Sequence, residues 1–101
     1  MLPNYRLSLI DFTGEPINGP KGALCLKDAM VEVFRINIPG DEQLGPLVKY
    51  DLGKLGAKIL AEGDLTAEEM ATAKDRVGKG YLNPAIVMAV WDALDATPKE
   101  G

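Results

Sequence analysis

The chain has 101 residues, about one domain's worth, with 15 acidic against 11 basic side chains and a formal net charge of -4. That mild excess of acid favours solubility and speaks against binding along a phosphate backbone. Histidine is absent and Cys25 is the only cysteine, which excludes an intrachain disulfide, every His-containing zinc site, and both Ser-His-Asp and Cys-His catalysis.

The opening residues lack a basic flank followed by a continuous apolar segment, and no run approaches the roughly 20 apolar residues of a membrane span. The expectation is a single cytoplasmic domain over residues 1–101, without membrane contact and with a frayed tail at 96–101. Tyr5 to Phe12 alternates like a strand, with Tyr5, Leu7 and Leu9 on one face and Arg6, Ser8, Ile10 and Phe12 on the other. Thr13-Gly14-Glu15-Pro16 reads as a turn. Ile17 to Gly22 reads as loop, and Leu24 and Leu26 as a short returning strand, so a small hairpin is expected at the N-terminus. Cys25, inside an apolar run, reads as a small buried side chain.

Lys27 to Ile38 fits two periods. Met30, Val33 and Phe34 have helical spacing, yet the β-branched residues also alternate. Helix is the reading adopted, ended by Pro39-Gly40. A further helix is expected from Gly45-Pro46, with Pro suited to the first position and an apolar stripe of Val48, Leu52, Leu55 and Ile59. Gly53 and Gly56 inside it call for close packing or a break.

The strongest local signal is Leu65-Thr66-Ala67-Glu68-Glu69-Met70, a capping box with a hydrophobic staple. It predicts a helix from here to about Val77, closed by Gly78 and Gly80. Asn83-Pro84 then caps a last helix, Pro84 to Asp95, whose polar residues are almost confined to Asp92 and Asp95. A helix so apolar is expected either at the centre of the core or paired with another chain.

Constellations that would carry chemistry fail on their residues. Gly14 and Gly19, and again Gly40 and Gly45, have phosphate-loop spacing, but Pro20 and Pro46 stand where the lysine must be. Gly78-Lys79-Gly80 follows a helix instead of a strand. Glu68 and Glu69 are explained by the cap and the helix dipole. Asp41-Glu42, Asp64, Asp92 and Asp95 show no metal-loop spacing. As a helix-turn-helix, Pro84 to Asp92 has no Arg, Lys, Asn or Gln to read base edges, so no nucleic-acid partner is expected. Trp91 has two readings, a core residue or an interface anchor; Met88 lies one turn back, and Tyr81 and Tyr50 are weaker members of the same group.

Several stretches together resemble small proteins encoded by tailed bacteriophages and prophages. They are Leu24-Cys25-Leu26-Lys27-Asp28-Ala29, Asp41-Glu42-Gln43, Asp64 to Glu69, Gly78-Lys79-Gly80-Tyr81, and Pro84-Ala85-Ile86-Val87 with Trp91 and Leu94. This chain departs from the group at Met88-Ala89, where a Gly-Gln pair is usual, and at Asp92, where a basic residue is. The resemblance implies a phage or prophage setting in a bacterial host cell, and it supplies no catalytic or binding residues.

The resulting expectation is an α+β fold, a short N-terminal β-hairpin followed by three or four packed α-helices. The function expected is non-enzymatic: a phage accessory protein, without cofactor or metal, that binds a protein partner (itself, a host protein or a phage protein) and is a homo-oligomer. The contact surface would be Met88, Trp91 and Tyr81. The alternatives are a tail-assembly chaperone and, more remotely, a small enzyme using converging carboxylates.

Overall fold

The structure, a computed structural model, describes residues 1–98. Two two-residue strands, β1 (Asn18–Gly19) and β2 (Gly22–Ala23), pair antiparallel with Asn18 opposite Ala23. Four helices follow: α1 (Leu26–Arg35), α2 (Pro46–Leu60), α3 (Ala67–Gly80) and α4 (Pro84–Asp95), with a 3₁₀ turn at Asp41–Gln43. This is the α+β arrangement expected, and α1 is its hub, packed against each of the other three helices. No helix among the described residues is long and apolar enough to cross a membrane.

The hairpin does not form where the alternation placed it. Tyr5 to Phe12 contains only the isolated bridges Ser8–Cys25 and Ile10–Pro16, and the paired strands, all but Ala23, lie inside the stretch read as loop. The reason is that the N-terminal segment divides its hydrogen bonds between two partners. The Leu9 N–H donates to Leu24 O at 2.8 Å, while Leu9 O accepts from Ile17 N–H at 3.0 Å. Neither pairing runs long enough to make a ladder. The inside–outside pattern nevertheless holds, with Tyr5 and Leu9 buried and Arg6, Ser8, Ile10 and Phe12 exposed; Leu7 is the exception and faces water. Leu26 opens α1 instead of returning as strand, and Cys25 is half-buried at the N-cap position.

Lys27 to Ile38 is helical through Arg35, as the helical spacing indicates. Leu26, Ala29, Met30 and Val33 are buried along one face. Antiparallel to it, α2 is unbroken, and Gly56 marks where the two helices come closest: a Cβ there would lie 2.9 Å from the Phe34 Cβ. Leu55 and Ile59 are buried, Leu52 is half-buried and Val48 is exposed. The expected stripe is therefore a core face only over its C-terminal half. With Lys27 paired to Glu62 at one end and Phe34 against Gly56 at the other, α2 is the longer helix and its first turns project past the end of α1.

The start of α3 is as the capping box requires. The Glu69 N–H donates to Thr66 Oγ1 at 3.1 Å, and Thr66 N–H donates to Glu69 Oε1 at 2.9 Å. Its end is not at Val77; the helix continues through Gly78 to Gly80. Gly80 is a packing residue, because a Cβ there would lie 2.7 Å from Val33 Cγ1 and 3.2 Å from Ile38 Cγ2. One turn earlier, the buried Arg76 donates from Nε and Nη2 to Val33 O at 3.0 and 2.6 Å, capping a carbonyl at the end of α1. Its Nη1 reaches Asp41 Oδ1 at 2.9 Å, and Asp41 Oδ2 accepts the Ile38 N–H at 3.0 Å. Asp41 thus joins α1, α3 and the turn between α1 and α2. The Arg76 hydrogen bond, then the Ile38 N–H, hold its carboxyl below the usual carboxylate range.

Asn83 caps α4 by accepting the Ala85 N–H at 2.9 Å. Of the twelve residues of α4 only Val90 and Leu94 are fully buried. The helix is thus not central to the core; it lies outside, against α3 and α1. The expected frayed tail falls partly outside the described residues, at 99–101. Thr97 is buried, and its N–H donates to Leu94 O at 3.1 Å.

Candidate protein-interaction surface on the third and fourth helices

Because α4 packs on α3 through Val90 and Leu94, residues 84, 88, 91 and 95 form a stripe along its flank, beside α3, at i, i+4, i+7 and i+11. All four are exposed. They line an open groove with Gly78, Tyr81 and Leu82 from the end of α3 and the connection that follows. Met88, Trp91 and Tyr81, the three residues read as a contact surface, therefore meet in one place. Tyr50 does not join them; it stands on the projecting half of α2 with Lys54 Nζ 5.5 Å from its ring centroid.

The three are held differently. Tyr81 is half-buried, and its hydroxyl donates to Ala29 O on α1 at 2.9 Å. Burial, followed by the charges of Glu32 and Asp28, pushes this phenol up to about 12. Tyr81 is thus a fastening of α1 to the α3–α4 corner that shows only part of its ring to the groove. Trp91 is 39% exposed, and its indole N–H donates to Lys74 O on α3 at 3.0 Å. Lys74 Nζ lies 4.8 Å from the Trp91 ring centroid and 2.7 Å from Asp95 Oδ1. Gly78 borders the ring without being required by it, since a Cβ there would make only ordinary contact, 3.5 Å from Cζ2. Trp91 is accordingly neither a core residue nor a free one: one edge is fastened to α3 and one face is open. Met88 is 48% exposed and makes the middle of the stripe.

Leu82 is the member that the sequence reading missed. It is fully exposed, at 101%. At the position before the Asn83 cap it has the spacing to staple onto Val87, but at that exposure it covers nothing. A leucine confined between Gly80-Tyr81 and a helix cap has no route into the core, and that confinement is the available sequence signal.

The rim of the groove is acidic, with Asp92 and Asp95 in the last turn of α4. Among the described residues no three His, Cys, Asp or Glu side chains gather closely enough to hold a metal ion. The arrangement suits recognition of an apolar surface carried by another polypeptide: an aromatic anchor with its polar atom already satisfied, a flexible thioether beside it, and a charged edge. Comparison with protein-family models, with curated proteins and with solved structures yields no match to this chain, so the α3–α4 face itself carries the functional reading.

Proposed function

We propose that this protein is a non-enzymatic binding protein that docks another polypeptide on the α4 face around Met88 and Trp91. Its setting, on the sequence resemblance, is the accessory repertoire of a bacteriophage or prophage. The observation that carries the reading is the joint exposure of Met88 and Trp91 on α4, an element that is otherwise well fastened, and of Leu82 on the connection leading into it. A partner covering them would gain about 25 cal/mol for each Å² of apolar surface removed from water. The indole N–H brings no unmet hydrogen bond into such an interface.

The test is affinity capture from bacterial and phage-infected lysate by the wild-type chain and by Met88→Glu, with melting temperature as the control. The reading expects a protein captured by wild type and lost with Met88→Glu at unchanged melting temperature, followed by saturable binding of the purified partner. Equal capture by both chains, or none by either from a wild-type chain that is also monomeric up to about 1 mM, would overturn it.

A further inference from the structure

Three of the four helices carry charges that agree with their own dipoles. α1 has Asp28 in its first turn and Arg35 in its last, α3 has Glu68 and Glu69 first and Lys79 last, and α2 ends on Lys58. α4 is the exception, with no acid in its first turn and no base in its last, where Asp92 and Asp95 sit instead. Carboxylates at a helix C-terminus oppose the macrodipole; at a helix N-terminus they are favourable. Lys74 meets Asp95 from α3 at 2.7 Å and leaves it 63% exposed; an arrangement that brings the two aspartates to the N-terminus of another helix would turn the remaining mismatch into an attraction.

The groove-lining residues of α4 show how that happens. Turned end for end about the helix midpoint, between Ala89 and Val90, Pro84 falls opposite Asp95, Val87 opposite Asp92, and Met88 opposite Trp91. The stripe is self-complementary: acid meets a helix N-terminus at each end, and a thioether meets an indole twice at the centre. We propose that the occupant of this face is a second copy of the chain, its α4 antiparallel to the first across a two-fold axis. This rests on the α4 face being a contact surface, and it names the partner. A contact limited to one helix face and Leu82 falls at the small end of protein interfaces, so dissociation in the micromolar range is expected.

The geometry is read by cross-linking in a Cys25→Ser background. Residues 84 and 95 of one helix are about 16 Å apart along its axis, too far for a disulfide within one chain. An equimolar mixture of Pro84→Cys and Asp95→Cys proteins, oxidised at about 100 μM, is expected to give the mixed 84–95 dimer about tenfold over either homodimer. Sedimentation velocity on uncross-linked chains from about 1 μM to 1 mM should show a monomer–dimer equilibrium, weakened at least 30-fold by Met88→Glu. Asp92→Lys is expected to act in opposite directions, raising the melting temperature of the monomer while weakening the dimer. Predominant 84–84 and 95–95 products would overturn the antiparallel arrangement. A monomer throughout the range would overturn self-association, and if lysate capture remained sensitive to Met88→Glu, the binding function would stand with a different partner.

Discussion

Helix α3 holds a cation against an aromatic ring on each of two sides, and the two sites differ in how completely they close. Toward α1, Arg76 lies 5.2 Å from the Phe34 ring centroid, donates to the Val33 carbonyl and pairs with Asp41, at 7% exposure. Toward α4, Lys74 lies 4.8 Å from the Trp91 ring and pairs with Asp95, and the indole donates to the Lys74 carbonyl. A guanidinium offers several donors in a rigid fork and can satisfy a carbonyl and a carboxylate at once; an ammonium is a point charge on a flexible stem. The first site accordingly buries its cation, with Phe34 and Asp41 half-buried at the edge of an open pocket beside α2, and the second leaves a tryptophan face and a methionine in water. One side of the helix buries its cation, and the other leaves apolar surface open that the proposed interface would cover.

The comparison breaks first at Arg76. Arg76→Ala leaves Asp41 without its cation and the Val33 carbonyl uncapped, and a loss of about 3–5 kcal/mol is expected in urea unfolding. Acid tests the same clasp. The Asp41 carboxyl is depressed in the folded chain, chiefly by Arg76, so its contribution is complete above the ordinary carboxylate pKa of about 4 and disappears as pH falls through the lower folded value. The stability gap between wild type and Asp41→Asn should therefore be constant from pH 7 to about pH 5 and narrow below about pH 4. A gap independent of pH down to 2 would remove the ion pair from the account.

Two glycines sharpen the contrast, since each faces one of the two sites. Gly80→Ala drives a methyl to 2.7 Å from Val33 Cγ1 on the α1 side. Overpacking of about 1–3 kcal/mol set against about 1 kcal/mol of helix propensity leaves a net loss of roughly 0–2 kcal/mol. Gly78→Ala meets only the Trp91 ring at 3.5 Å, an ordinary contact, and should gain up to about 1 kcal/mol. Melting curves of the two variants should move in opposite directions. Equal losses would mean that both sides are packed alike.

Those glycines also show what was legible in the sequence. Three of the four helix starts were, because Thr66 with Glu69, Asn83 with Pro84, and Gly45 with Pro46 each place the whole signal within a few consecutive residues; α1 has no side-chain cap and its first residue, Leu26, reads as strand. The end of α3 was not, because Gly80 answers to Val33 on another helix, a fact about packing that no local pattern contains. The Arg76–Asp41 pair spans 35 residues and Tyr81 to Ala29 spans 52, so neither could be read from spacing. At the candidate surface, Met88 and Trp91 were legible as neighbours one turn apart on a helix too apolar for its exposure. The tether of Trp91 to Lys74 O was not, since only the packing of α4 on α3 creates it.

That tether sets the next effect down. Trp91→Phe keeps an aromatic ring over Lys74 and removes the hydrogen bond to a carbonyl on α3. The expected cost is about 0.5–1.5 kcal/mol, the ordinary worth of one such bond. A loss as large as that of Arg76→Ala would move Trp91 into the core after all and close the α4 side.

The smallest change in stability should accompany the largest change in association. Met88 is 48% exposed at the middle of the stripe and makes no polar contact whose loss could unfold the chain. Met88→Glu is therefore expected to shift stability by no more than about 0.5 kcal/mol, as exposed substitutions usually do. In an occupied interface the same carboxylate would be buried beside a tryptophan with no cation to meet it, because Lys74 is already engaged by Asp95. Denaturant unfolding and sedimentation on the same samples separate the two cases. If both quantities fall together, Met88 contributes to the fold and the α4 side is only a poorer version of the α1 side. If association alone is lost, the open site is a surface held in readiness by the closed one.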